Sequence, residues 1–193
     1  MTEPLAAIPD DVLALAQTVL EDACARDLTL ATAESCTGGL LASLLTDVEG
    51  ASHAFDRGFV VYSKQAKCEL LGIAPEVVDR CNAVTREVAE AMASGALAGS
   101  HADVALGITG FAGPGAPEDE PGLVHLGCAA RDGYRAHREC HFGDVGRGEV
   151  RNAALRVALE MLRDAVGAGR RDDESAGGER DAAGTDEEGV ARR

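Results

Sequence analysis

Short apolar runs alternate with segments of helical periodicity along most of this chain, and that alternation leaves few architectures open. Val12, Leu13, Leu15, Ala16, Val19 and Leu20 recur at helical spacing behind Asp10 and Asp11, whose charges suit a helix N-terminus, so the spacing predicts a helix over 10–26. The apolar run 28–33 reads as a strand, Ser35 to Gly39 as a tight loop, and Leu40, Leu41, Leu44 and Leu45 as the helix that follows. Residues 58–62 form the next expected strand, with helical pieces over 64–71 and 75–80. Thr85, in a capping position with Glu87 behind it, opens a helix to Gly99. A buried strand over 104–109 ends in the glycine-rich stretch 110–115. Runs 123–130 and 134–142 flank Asp132-Gly133, a strong hairpin signal, and an amphipathic helix over 147–166 closes the pattern. Strands alternating with helices, then a hairpin, predict one α/β domain over 1–167: three layers, α/β/α, around a mixed sheet, with a C-terminal hairpin plus helix.

Composition refines this picture. The chain is 46% hydrophobic, largely Ala, Val and Leu, with no Trp, four Phe and two Tyr, so its core is built from small aliphatic side chains and favours helices lying close on a sheet. Residues 168–193 are Gly, Ala, Asp, Glu and Arg with almost nothing large and apolar, which predicts a disordered tail. The net charge of −15 argues against a nucleic-acid backbone or an anionic membrane as the main partner. Lys64 and Lys67 are the sole lysines among 18 basic residues, and acidity with so little lysine is expected of a salt-adapted host. Six cysteines without C-x-x-C spacing, no signal peptide and no apolar run of about 20 residues predict a reduced, soluble, cytoplasmic protein.

Three stretches carry candidate chemistry. Ser35, Cys36, Thr37, Gly38 and Gly39 put a hydroxyl, a thiol and backbone N–H groups at a strand-to-helix turn. They are read either as a simple helix cap or as a nucleophile whose oxyanion meets the same amides, with Cys36 as an alternative to Ser35. Tyr62, Lys64 and Lys67 follow a strand. A buried lysine beside a serine can serve as general base, whereas two lysines at a helix start can equally be solvated. Thr109, Gly110 and Gly113 lie at the end of a strand, where open α/β sheets bind ligands; their spacing fits neither a Walker loop nor a dinucleotide fingerprint. The five histidines lack ligand spacing, so no metal site is expected.

Taken together, A-E-S-C-T-G-G at 33–39, G-F-V-V-Y-S-x-x-A-K at 58–67, V-T-x-x-V-A-x-x-M-A-x-G-A at 84–96 and T-G-F-A-G-P at 109–114 resemble the CinA C-terminal (PncC-type) family over about residues 20–165. The resemblance implies a nicotinamide mononucleotide amidohydrolase that yields nicotinate mononucleotide and ammonia in NAD salvage, without a cofactor. It implies Ser35 as nucleophile, Tyr62 and Lys67 as the groups activating it, and Thr109 with Gly110 around the substrate; Lys64 falls at a variable position. The substrate phosphate needs donors, for which amides near Thr37, Gly38 and Gly39, or the guanidinium groups of Arg147 and Arg151, are candidates. The chain departs from the family in the short acidic loop 115–122 and in the spacing of Gly143-Asp144 from Arg147. It is too short to include the N-terminal domain of two-domain relatives, and so is expected to be the stand-alone form. The expected partner is a small pyridine mononucleotide, with copies of the chain associating as a dimer or higher oligomer. A non-catalytic nucleotide-binding module related to competence and DNA-damage proteins is the alternative.

Overall fold

Three of the strands among the described residues are buried on both faces, and the rest of the fold is arranged to cover them. The computed structural model describes residues 6–113 and 116–168; of the tail expected over 168–193, Ala168 ends the last helix while 169–193, like the loop residues Pro114 and Gly115, lie outside the described residues. The elements are α1 (Asp10–Cys24), β1 (Leu30–Glu34), α2 (Leu40–Thr46), β2 (Phe55–Val60), α3 (Lys64–Leu71), α4 (Pro75–Val78), α5 (Arg86–Ala98), β3 (Val104–Gly110), β4 (Leu123–Ala130), β5 (Arg135–His141) and α6 (Arg147–Ala168). Short 3-10 turns occupy Ser52–Ala54 and Arg80–Ala83.

The five strands form one sheet in the order β2-β1-β3-β4-β5. β1 pairs parallel with both β2 and β3, while β3–β4 and β4–β5 are antiparallel. The expected α/β class, mixed sheet and hairpin are therefore present. Asp132-Gly133 turns the hairpin: Gly133 adopts a φ of 100°, and the Asp132 carboxylate accepts from the Tyr134 amide at 2.8 Å.

The two faces of the sheet are covered differently. Leu30, Leu106, Ile108, Val124, Leu126 and Cys128 point to one face and pack against α1, α2 and α6 through Leu20, Leu41, Leu45, Leu155, Leu159 and Leu162. The opposite face presents Ala31, Ala33, Ala105 and Ala129 to Val88, Met92, Ala93 and Ala96 of α5. There the helix backbone approaches so closely that a Cβ at Gly107 or Gly127 would lie 2.5 or 2.6 Å from the Ala89 carbonyl oxygen. Small residues on strand and helix alike permit this approach, as the Ala-rich composition anticipates.

Among the described residues no helix is long and apolar enough to cross a membrane. β2 begins at Phe55, three residues before the expected strand, because Phe55-Asp56-Arg57 belongs to an exposed edge whose side chains carry little hydrophobic pattern. Tyr62 consequently lies beyond the strand. α5 starts as expected, with Thr85 Oγ1 accepting from the Val88 amide at 3.2 Å.

Candidate active site

β1, β2 and β3 run parallel and end side by side, and the chain leaves β1 toward β2 before crossing back to β3. The carboxyl ends of β1 and β3 thus flank a topological switch point, the place where such sheets hold ligands. Segment ends converge here: Ser35 after β1, Val61 and Tyr62 after β2, and Phe111 to Gly113 after β3, which Gly110 ends. A cleft of about 270 Å³ opens between them, lined among others by Ser35, Tyr62, Lys67, Thr109, Gly113 and Arg147.

Ser35 is fixed through its backbone. Its N–H donates to the Ile108 carbonyl at 3.0 Å, and its own carbonyl accepts from the Gly38 amide at 3.2 Å. Opposite stands Lys67, one turn into α3 and 2% exposed. Ser63 caps that helix by accepting from the Ala66 amide at 3.0 Å, which sets the rotation that turns Lys67 inward. Its Nζ lies 3.0 Å from Ser35 Oγ, 2.9 Å from the Val61 carbonyl oxygen and 3.2 Å from that of Tyr62. Burial disfavours the charged amine and holds its pKa below the ordinary lysine value, with the neighbouring thiols of Cys36 and Cys68 opposing the shift. As a neutral amine, Lys67 offers two N–H groups to the two carbonyls and leaves its lone pair for the Ser35 hydroxyl. As an ammonium it donates to all three oxygens. This arrangement can take a proton from Ser35 and return it.

Lys64 and Lys67, inseparable by spacing, are divided by geometry. Lys64 is half-exposed at the rim of the cleft, 3.4 Å from an Asp79 carboxylate oxygen. Tyr62 presents two different groups: its carbonyl holds Lys67, while its side chain, 69% exposed, borders the cleft. Cys36 is buried and its thiol is pushed up to about 12 by desolvation, so the helix N-terminus does not make it a thiolate.

The amides expected to meet a ligand anion are a correction. Gly38, with a φ of 67°, and Gly39, with a φ of 94°, build the turn in the left-handed region. The Gly38 amide serves the Ser35 carbonyl, the Gly39 amide donates to Glu34 Oε2 at 3.1 Å, and neither residue lines the cleft. Thr37 is also absent from the lining; its hydroxyl is buried, without a hydrogen-bond partner among the described residues. Arg151 likewise supports the turn, donating to the Cys36 carbonyl at 2.9 Å. On the far side of the cleft, Arg147 reaches Gly113, where a Cβ would sit 3.1 Å from its guanidinium.

Thr109 Oγ1 donates to the Ala83 carbonyl at 2.8 Å, so its side chain shapes the wall of the cleft. Sequence reasoning missed what makes this possible. Asn82 and Ala83 have φ values of 52° and 62°, a left-handed pair that costs roughly 1–2 kcal/mol at a non-glycine residue such as Ala83. The Asn82 side chain also donates to Asp119 at 3.2 Å, tying the acidic loop to the cleft. Glu34 was missed as well: an acidic residue ending a strand of Leu, Ala and Thr was the available signal, and the structure buries it fully. Among the described residues, no group of three His, Cys, Asp or Glu side chains is arranged to hold a metal ion.

The fold and site define an α/β protein with a buried serine–lysine pair at the switch point of a mixed sheet. Residues 12–166 match the CinA C-terminal domain, and the chain belongs to that family. It is 42% identical over 155 residues to the nicotinamide-nucleotide amidohydrolase PncC of Escherichia coli K12, covering 79% of this chain and 93% of that one. A CinA-like protein of Chlorobaculum tepidum is 46% identical over 148 residues, 72% of this chain but 35% of the relative, so the chain spans about a third of such longer proteins. Among solved structures, the competence/damage inducible protein CihA of Agrobacterium tumefaciens superposes with a TM-score of 0.79 at 45% identity, covering 84% of this chain and 99% of that one.

Proposed function

We infer that this chain hydrolyses the carboxamide of nicotinamide mononucleotide to nicotinate mononucleotide and ammonia. The observation that carries the reading is the 3.0 Å contact between the desolvated Lys67 amine and Ser35 Oγ at the floor of a cleft. The substrate class rests on the name of the Escherichia coli relative.

In this reading Ser35 Oγ attacks the carboxamide carbon as Lys67 takes its proton. The tetrahedral intermediate collapses when Lys67 returns that proton to the amine, and ammonia leaves an acyl-serine. Water then attacks the ester with Lys67 again accepting the proton, and release of the acid restores Ser35. Arg147 and Lys64, both at the cleft, are the cations suited to the substrate phosphate. The Tyr62 phenol borders the cleft, and Thr109, Gly110 and Gly113 form the facing wall.

The test is ammonia release from nicotinamide mononucleotide by the purified protein, with Ser35→Ala beside it. Release that vanishes in the variant is the expected outcome; release that persists would remove Ser35 from the mechanism. Binding without release, by folded parent protein, would favour a non-catalytic nucleotide-binding module. Tyr62→Phe separates the phenol from the carbonyl, since the variant retains the latter.

A further inference from the structure

Glu34 is a fully buried carboxyl group that the chemistry above does not use. It ends β1, immediately before Ser35, and points toward α2 rather than into the cleft. Oε2 accepts from the amides of Gly39 at 3.1 Å and Leu41 at 3.0 Å; Oε1 accepts from the amide of Ala42 at 2.8 Å and the Thr32 hydroxyl at 3.3 Å. Four donors and no acceptor meet an acceptor-only group, which satisfies backbone N–H groups that a helix start leaves without intrahelical partners. The backbone of Glu34 is tied as well: its carbonyl accepts from the Val61 amide at 2.8 Å, and the carbonyl of that same Val61 accepts from Lys67. One residue therefore spans the turn from its strand side to its helix side, with Ser35 held in between.

We propose that Glu34 is the positioning residue of the nucleophile: by closing the 35–39 turn onto the N-terminus of α2, it aims Ser35 Oγ at Lys67. It touches neither the substrate nor the lysine amine. Its loss leaves the base intact but lets the hydroxyl wander from the 3.0 Å contact, and proton transfer is lost with alignment. A glutamine cannot replace it, because one end of its amide would set an NH₂ against backbone N–H groups.

This inference rests on Ser35 being the nucleophile, and the test separates the two. Glu34→Gln, Glu34→Asp and Ser35→Ala are compared with the parent in ammonia release from nicotinamide mononucleotide, and in the rate at which a small aryl sulfonyl fluoride modifies Ser35, followed by intact mass. The second readout requires no knowledge of the substrate. Expected is a kcat at least tenfold lower in Glu34→Gln with KM within about twofold, a parallel fall in Ser35 labelling, an unchanged pH midpoint of activity, and an intermediate loss in Glu34→Asp, which keeps the charge on a shorter arm. Parent-like kcat and labelling in Glu34→Gln, with Ser35→Ala inactive, would overturn the positioning role and leave the nucleophile standing. Activity in Ser35→Ala would overturn the nucleophile itself. If Glu34→Gln does not fold, Glu34→Asp decides: a lower kcat at constant KM and full labelling stoichiometry supports the role, and an unchanged kcat rejects it.

Discussion

The sheet of this protein has one thick face and one thin one, and each delivers half of the buried serine–lysine pair. On the thick face, leucines from α1, α2 and α6 pack on the branched side chains of β1, β3 and β4, and Glu34 anchors the serine turn there. On the thin face, glycine and alanine let α5 lie almost backbone to backbone on the sheet, and α3, packed beside it, carries Lys67. The thick face has volume to lose. The thin face has no slack, so a displacement of α5 is transmitted to the helix that holds Lys67.

That contrast can be broken in order of effect. Lys67→Met removes the proposed base and is expected to lower kcat/KM by about 10² to 10⁴, measured by ammonia release, with the thermal midpoint kept or raised because a buried amine is replaced by an apolar chain. Leu155→Ala on the thick face should cost about 2–5 kcal/mol in denaturant unfolding while the folded fraction keeps its specific activity. Gly127→Ala on the thin face should cost less stability, about 1–3 kcal/mol, yet lower the specific activity, since the new methyl meets the Ala89 backbone and pushes α5 outward. Equal catalytic loss in the last two variants would erase the distinction between the faces.

Titration sharpens the same point. Burial lowers the Lys67 pKa in the folded state, so between that lowered value and the unfolded value of about 10.4 the unfolded chain binds more protons. Stability therefore rises with pH through this window and is lost as pH falls through it, and kcat/KM should climb over the same lower limb as the amine becomes neutral. Urea unfolding across pH, in parent and Lys67→Met, checks the sign: the variant should lack this contribution. The smallest effect concerns Cys36. With its thiol raised to about 12 and buried, iodoacetamide at neutral pH should leave it unmodified in the folded protein and alkylate it once urea is added.

Much of this was legible in the residues, for identifiable reasons. The hairpin at Asp132-Gly133 and the cap at Thr85 are local signals, and both elements form where those signals stand. Ser35 and Lys67 stood out because a strand-to-helix turn and a scarce residue type mark them. The choice between Lys64 and Lys67 required the rotation of α3, which the Ser63 cap and the packing of Leu71 determine. Asn82 and Ala83 gave no warning, because a left-handed alanine is imposed by tertiary contacts such as that with Thr109. The start of β2 was hidden by the weak alternation of an edge strand. Gly38 and Gly39 were correctly read as a turn but assigned to a ligand, since a sequence cannot show that a carboxylate five residues away already occupies the amide.

The three oxygens around Lys67 Nζ have a kinetic meaning. In the proposed reaction, when the amine receives the serine proton, each of its oxygen neighbours keeps a hydrogen bond and no side chain must rotate to find a new one. Proton gain and proton loss thus occur within a fixed frame, so the cost of rearranging surroundings, which a lysine in water meets at every cycle, is met once, when the chain folds.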